Sequence, residues 1–316
     1  MVQPYPTTIV SEIMTVCNLK CPTCRVTNTA EPPQFMPFER FKELAERILP
    51  VLEQARIFNL CSSEPLLHKN FFDMVDLLKS YNDMAVPTII TNAELLDDET
   101  THKLLARGLN SICISLDGCT KETFEAIRVG SNFERVIENT RNYIKKGGNV
   151  RTIFVVQKNN VHELLDFVDL CADLGIWKIK YSGLNTYLPE HVVNGLYSYE
   201  GNPGLDELLI EAQKKAATKK IQTRIRPTKI TDCGCGLSDT MYIGKDGDIS
   251  PCVFFSEPSP LSLMGETRIT EPIFWGNVFE QDVLEIWHSK ESVDFRENIA
   301  TREECRLCGL KYGVVC

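Results

Sequence analysis

Three cysteines stand close together near the start of the chain, in Cys17-Asn18-Leu19-Lys20-Cys21-Pro22-Thr23-Cys24. Thiolates at this spacing can converge on one metal centre, and Asn18, Lys20 and Pro22 make the segment a polar loop rather than core. Structural zinc takes four ligands, usually paired as CxxC. Three cysteines with no local fourth suit a 4Fe-4S cubane with one iron left open, and an open iron can take a small molecule. A second group stands near the other end: Cys233-Gly234-Cys235-Gly236, Cys252, Cys305-Arg306-Leu307-Cys308 and Cys316. Four of these can hold another cluster, or Cys233, Cys235, Cys305 and Cys308 a tetrahedral zinc. No segment approaches the ~18 consecutive apolar residues of a membrane span. Met1 to Val10 lacks the charged and apolar regions of a signal peptide. A cytoplasmic, reducing location is therefore expected, where 13 cysteines mean metal or redox chemistry rather than disulfides.

The elements that must hold these thiols follow a regular rhythm. From residue 7 to about 184, apolar β-rich runs alternate with helical runs. Strands are expected at Thr7–Thr15, Ala55–Leu60, Pro87–Ala93, Ser111–Asp117, Asn149–Gln157 and Lys178–Leu184. Amphipathic helices fall between them, such as Asn70–Asn82, Glu134–Lys146 and Val161–Leu174, and Gly108, Gly147–Gly148 and Gly175 close such helices. Repeated β-then-α units predict an α/β protein with a parallel sheet, open or partly closed, and sites at the C-terminal strand ends. The thiol trio follows the first strand, at such an end.

Leu188 to Gly204, rich in Pro, Gly, Asn and Tyr, reads as a loop, part of a lid spanning about 185–204. Leu205–Lys220 is an amphipathic helix that closes the first domain, 1–227. The remainder, 228–316, is a small cysteine-rich α+β domain with a hairpin turn at Lys245-Asp246-Gly247-Asp248 and a helical Asp282–Ile299. At 43% hydrophobic and 24% charged, the 316 residues can bury a sizeable core. The net charge of −9 argues against a nucleic-acid partner, although a local basic patch can sit inside an acidic total.

Cx3Cx2C after the first strand of a β/α series resembles the radical S-adenosylmethionine (SAM) superfamily. The resemblance implies a partial (β/α)6 TIM-type barrel, with the cofactor's amino and carboxylate groups chelating the open iron. Reduction then cleaves SAM to a 5′-deoxyadenosyl radical that abstracts a substrate hydrogen, while the protein binds, orients and excludes solvent. Ser62-Ser63-Glu64-Pro65 is similar to the family's Gly-Glu-Pro segment for the cofactor's amino group, with Ser63 replacing glycine. Thr91-Asn92 sits where the family has Thr-Asn-Gly, with Ala93 as the third residue. Ser115-Leu116-Asp117-Gly118 ends the fourth strand, and the resemblance makes Ser115 and Asp117 ribose or carboxylate contacts. Arg128 stands where several relatives have an arginine for the cofactor carboxylate, a partner that suits a guanidinium fork. The residue before the third cysteine, often aromatic in the family, is Thr23, which leaves adenine contact there to backbone.

Gly247 and Cys252, followed by a CxxC some fifty residues later, resemble the auxiliary-cluster domains called SPASM and twitch. The shorter twitch pattern, with one auxiliary 4Fe-4S cluster, fits a chain that stops at Cys316. Family spacing makes Cys233, Cys252, Cys305 and Cys308 its ligands and leaves Cys235 and Cys316 spare. The expected reaction is oxidation of a substrate, by dehydrogenation or bond formation. The alternatives are epimerisation with Cys235 as hydrogen-atom donor, modification of a ribosomal peptide, and a zinc-stabilised non-catalytic binding protein. With the first strand near Thr7, no room remains for a leader-peptide domain, which favours a small substrate such as a sugar or aminocyclitol derivative. Flavodoxin or ferredoxin is the implied electron donor. Cys61, Cys113, Cys119 and Cys171 read as structural, His68 as a capping or supporting residue, and Tyr181, Asn185, Tyr187 and His191 as possible substrate contacts.

Overall fold

The computed structural model describes residues 3–28, 32–61, 63–184, 189–198, 200–229, 237–263, 266–299 and 301–305. Seven strands form the parallel wall: β1 (Thr8–Glu12), β2 (Ile57–Cys61), β3 (Val86–Thr88), β4 (Ile90–Thr91), β5 (Ser111–Ser115), β6 (Asn149–Val156) and β7 (Lys178–Gly183). An eighth, β8 (Gln222–Arg224), pairs parallel to β7. The expected strand at Pro87–Ala93 is two strands because the chain changes partner at Ile89. β3 bonds β2 before that residue, and β4 bonds β5 after it. The wall is thus a curved partial barrel, with helices on its outer side.

Alternation along the strands decides what each side chain meets. Ile112, Ile114, Val150, Phe154, Val156, Ile179 and Tyr181 belong to the buried core shared with the helices. Phe154 packs edge-on against Phe167 of the helix Leu164–Leu174, with ring centroids 4.6 Å apart, and Tyr181 packs against Phe154 at 5.9 Å. Tyr181 therefore belongs to the sheet–helix core, which corrects its reading as a substrate contact. The opposite parity, including Ser115, Ile153, Lys180 and Ser182, faces the lumen.

Helix starts obey side-chain capping: Asp97, Thr120 and Asn132 accept from the backbone N–H three residues on. Gly175 ends its helix at φ +81°, a left-handed conformation that favours glycine. The segment read as a loop or lid is partly helical among the described residues. Pro189–Val192 forms one helical turn, and the following helix runs Pro203–Thr218 because Asn202 caps it by accepting from Leu205 N at 3.2 Å. The helical stretch at Asp282–Ile299 breaks in two, Val283–Trp287 and Lys290–Glu297, since Ser289 caps the second by accepting from Ser292 N.

The remaining strands are β9 (Thr240–Ile243), β10 (Asp248–Ser250), β11 (Ser259–Leu263), β12 (Glu266–Thr270) and β13 (Gly276–Asn277). β9 and β10 pair antiparallel around the expected turn, where Gly247 sits at φ +92°. β9 also pairs parallel to β1, Thr8 opposite Thr240 and Ser11 opposite Ile243. One sheet, β13-β10-β9-β1-β2-β3, therefore draws on both ends of the chain. Among the described residues no helix is long and apolar enough to cross a membrane.

Candidate functional site

Cys17, Cys21 and Cys24 lie on the loop just beyond β1, at the C-terminal end of the parallel wall. Backbone and side-chain bonds, both within the loop and to Val129, hold it. Cys24 N donates to Cys21 O at 3.1 Å, and Lys20 N donates to Val129 O at 2.9 Å. Asn28 Nδ2 reaches back to the carbonyls of Pro22 and Cys24 at 2.6 and 2.7 Å. All three thiols are free. Burial pushes the Cys17 thiol up to about 11, Leu19 N pulling it down and Glu64, Cys24 and Cys21 adding to the rise. Burial also raises Cys21, against the pull of Arg128. Cys17 and Cys21, raised in this way, stay protonated until a cation enters, as at sites where iron supplies the positive charge.

Among the described residues, no three His, Cys, Asp or Glu side chains gather closely enough to hold one ion. Cubane thiolates bind separate irons and so stand wider apart than the ligands of one zinc. The trio fits a cubane on its donor set.

Glu64 is buried beside this loop, 1% exposed. Its Oε1 accepts from Thr91 Oγ1 at 2.8 Å and Leu66 N at 3.2 Å, and its Oε2 from Asn92 N at 2.7 Å. Asn92 in turn donates to Asn18 Oδ1 at 2.9 Å and lies 3.8 Å from Cys17 Sγ. The strand-end motif and the thiol loop thus form one network. Ala93 follows at φ +62°, so it keeps the left-handed backbone of the glycine it replaces. Ser63 turns its hydroxyl to Met14 O at 3.4 Å.

Burial raises the Glu64 carboxyl from 4.5 to about 7, although three hydrogen bonds oppose it. The folded state therefore takes up a proton that the unfolded chain does not, between about 7 and 4.5. The cofactor-free protein should gain stability as pH falls through that window, and Glu64→Gln should remove the dependence. Thermal unfolding of the two proteins from pH 8 to pH 5 checks it; parallel curves refute it.

Asp117 is 2% exposed and binds Arg128, with Nε to Oδ2 at 2.6 Å. Its Oδ1 accepts from Val155 N at 2.7 Å. Both oxygens are engaged, so Asp117 fixes Arg128 in place. Burial works against the guanidinium charge, but Asp117, Cys21 and Cys24 hold it protonated. Ser115 ends β5 on the lumen face of this wall.

Three residues that the motifs do not show, Arg25, Glu12 and Glu257, also meet here. Arg25, directly after Cys24, pairs with buried Glu12 at 2.8 Å and with Glu257. It ties the thiol loop to the C-terminal region. No spacing signal marks it, because Glu257 lies 232 residues away.

Cys252 and Cys305 are buried at 6% and 5% exposure, Cys252 just before the 3-10 turn Val253–Phe255 and Cys305 at the end of the 3-10 turn Glu303–Cys305. The hairpin β11–β12 braces both turns, through Thr270 Oγ1 to Phe254 O at 3.0 Å and through Arg268 to Glu304 O. Ser62, Asn185, Tyr187, Cys233, Cys235, Cys308 and Cys316 lie outside the described residues. His68 is a structural residue, its Nδ1 accepting from Asn70 N and its Nε2 3.0 Å from Met36 O. Cys113 and Cys171 are buried, and burial pushes the half-buried Cys119 up to about 12.

Sequence profiles of the Radical SAM superfamily and of the SPASM iron-sulfur cluster-binding domain match residues 11–171 and 233–309. A tungsten-containing aldehyde ferredoxin oxidoreductase cofactor-modifying protein of Pyrococcus furiosus is 25% identical, over 90% of this chain and 82% of its own. A probable GTP 3′,8-cyclase of Saccharolobus islandicus is 26% identical, over 76% of this chain and 80% of its own. Streptococcus suis SuiB, solved with its precursor peptide SuiA, is similar in fold at a TM-score of 0.73 and 18% identity, covering 98% of this chain and 71% of that one.

Proposed function

Since the chain belongs to the radical SAM superfamily and carries a SPASM cluster-binding domain, we propose that it catalyses a radical-initiated net oxidation of a small-molecule substrate. The observation that carries this reading is the three-thiol nest flanked by buried Glu64 and the Asp117–Arg128 pair. Cys17, Cys21 and Cys24 would hold the first 4Fe-4S cluster; Cys233, Cys252, Cys305 and Cys308 would hold an auxiliary one. When bound, the first cluster and SAM would together supply a radical that takes a hydrogen atom from the substrate, and the auxiliary cluster would supply an acceptor for the substrate's remaining electron.

The chain's own residues bind and orient. Glu64 would take the cofactor's ammonium, and the backbone of Ser62 and Ser63 would flank it. Thr91 and Asn92 hold that carboxylate in place through their bonds to it. Arg128, steadied by Asp117, would face the cofactor carboxylate, and Ser115 the ribose. A carboxyl at about 7 binds a cation better once ionised, so SAM affinity should rise with pH through 7.

The small-molecule reading draws support from relatives named for GTP cyclisation and for cofactor modification. SuiB, named with its precursor peptide, favours a peptide instead. Oxidation gives a role to four C-terminal cysteines, whereas epimerisation with Cys235 as hydrogen donor uses one. Flavodoxin or ferredoxin would deliver the electrons.

The test is anaerobic reconstitution, then SAM and dithionite. Formation of 5′-deoxyadenosine and methionine is expected, and their absence overturns the reading. With substrate in deuterated water, oxidation leaves the product unlabelled. Deuterium in the product, lost on Cys235→Ala, would establish the epimerase instead.

A further inference from the structure

We infer that Arg25 is a positioning residue that sets the potential at which the first cluster takes up its electron. Its guanidinium locks the thiol loop to the C-terminal region and places a fixed positive charge beside Cys24. The inference rests on the cluster reading above and extends it to residues outside the motifs. Arg25 directly follows Cys24 and opens the short helix Arg25–Asn28. Its Nη2 donates to Glu12 Oε1 at 2.8 Å, and its Nη1 donates to Glu257 Oε1. The three side chains are nearly out of water, Arg25 at 11% exposure, Glu12 at 5% and Glu257 at 13%.

Each anchor of the bridge is itself fixed. Glu12 closes β1, which is paired with β2 on one edge and with β9 on the other. Glu257 follows the turn Val253–Phe255, and three bonds hold that turn. Thr270 Oγ1 donates to Phe254 O at 3.0 Å, Ile273 N to Phe255 O at 2.9 Å and Ser256 Oγ to Val253 O at 2.9 Å. On the loop side, Asn28 Nδ2 returns to Cys24 O at 2.7 Å. A guanidinium offers separate N–H groups to two carboxylates at once, whereas an ammonium is a point charge on a flexible stem. The bridge therefore needs arginine for its geometry, while lysine could still supply its charge.

Charges so far from bulk water are weakly screened. A cluster gains negative charge on reduction, so a cation nearby favours the reduced state and a carboxylate nearby disfavours it. Arg25 and Glu257 therefore push the potential in opposite directions, although both belong to one bridge. A bridge that only held the loop in place would leave the potential where it is, or move it the same way on loss of either partner.

The experiment is a redox titration of the anaerobically reconstituted full chain, followed by electron paramagnetic resonance in the absence of substrate. The first cluster's signal is the one that added SAM perturbs. Arg25→Met should shift its midpoint to lower potential, and Glu257→Gln should shift it to higher potential. Arg25→Lys should bring the midpoint back close to wild type while Tm stays lowered, because the charge is kept and the fork is lost. Lys214→Met, on the exposed side of the helix Pro203–Thr218, should leave the midpoint unchanged. Glu257→Gln keeps the shape of its side chain, so it decides the matter even where Arg25→Met does not fold. The inference is overturned if either folded variant, Arg25→Met or Glu257→Gln, titrates as the wild type does, if both move the same way, or if Arg25→Lys moves as far as Arg25→Met. Those results leave a SAM-responsive cluster in place and overturn this inference alone; a wild-type chain with no SAM-responsive cluster overturns the cluster reading and the inference with it.

Discussion

Alanine in place of Cys21 should abolish 5′-deoxyadenosine formation and remove one cubane's worth of iron and sulfide from the reconstituted protein. A cubane at the N-terminal loop has three protein thiolates to rely on, and removal of one leaves two irons without a protein ligand. The loss should exceed the roughly 10–100-fold cost of deleting an outer-shell partner of a metal site. Cys17→Ala and Cys24→Ala should behave alike. Cys171→Ala is the control: its thiol is fully buried in the helix layer, so stability falls while iron content holds. Cys252→Ala separates the two thiol groups, since it should keep SAM cleavage and lose substrate turnover. Iron and sulfide analysis with product chromatography reads every arm. Full iron content in Cys21→Ala would refute the site.

The second large effect is expected at Arg128. Its ion pair with Asp117 has side-chain exposures of 19% and 3%, so it is shielded from water. Removing one partner of a buried pair leaves the other charge uncompensated, at about 3–5 kcal/mol. Arg128→Met should therefore lower Tm by roughly 10 °C, at a few degrees per kcal/mol for a chain of this size. It should also raise the SAM concentration needed for half-maximal cleavage. Asp117→Asn should cost less, because its amide can still accept from Val155 N. Arg128→Lys keeps the charge but loses the fork, so its effect should fall between the two. Calorimetry and SAM titration check the order. An Arg128→Met protein as stable as wild type would remove the pair from the account.

Much of this site was legible because the residues that build it are local in sequence. The thiol trio, Glu64, Thr91-Asn92, Ser115 and Asp117 each stand at or just past the end of a strand whose apolar run marks it, and Arg128 ends the helix Lys121–Ile127 that follows β5. The hairpin turn at Gly247 was legible for the same reason. Pairings between distant segments were not. Arg25 finds Glu257 across most of the chain, and β9 finds β1, with no pattern in either segment to announce the partner. Tyr181 shows another limit: an aromatic residue near a strand end reads as a contact until the register fixes which face it takes. The hairpin β11–β12 escaped because Pro258 and Pro260 make its first strand look like a loop.

The pairing of β9 with β1 bears on how the molecule can be divided. Cutting the polypeptide after residue 227 would strip β1 of a parallel neighbour and leave its backbone donors and acceptors as a raw margin, open to aggregation. The cysteine-rich tail is in this sense a stave of the cask rather than an appendage, and heat should melt both parts in one cooperative transition.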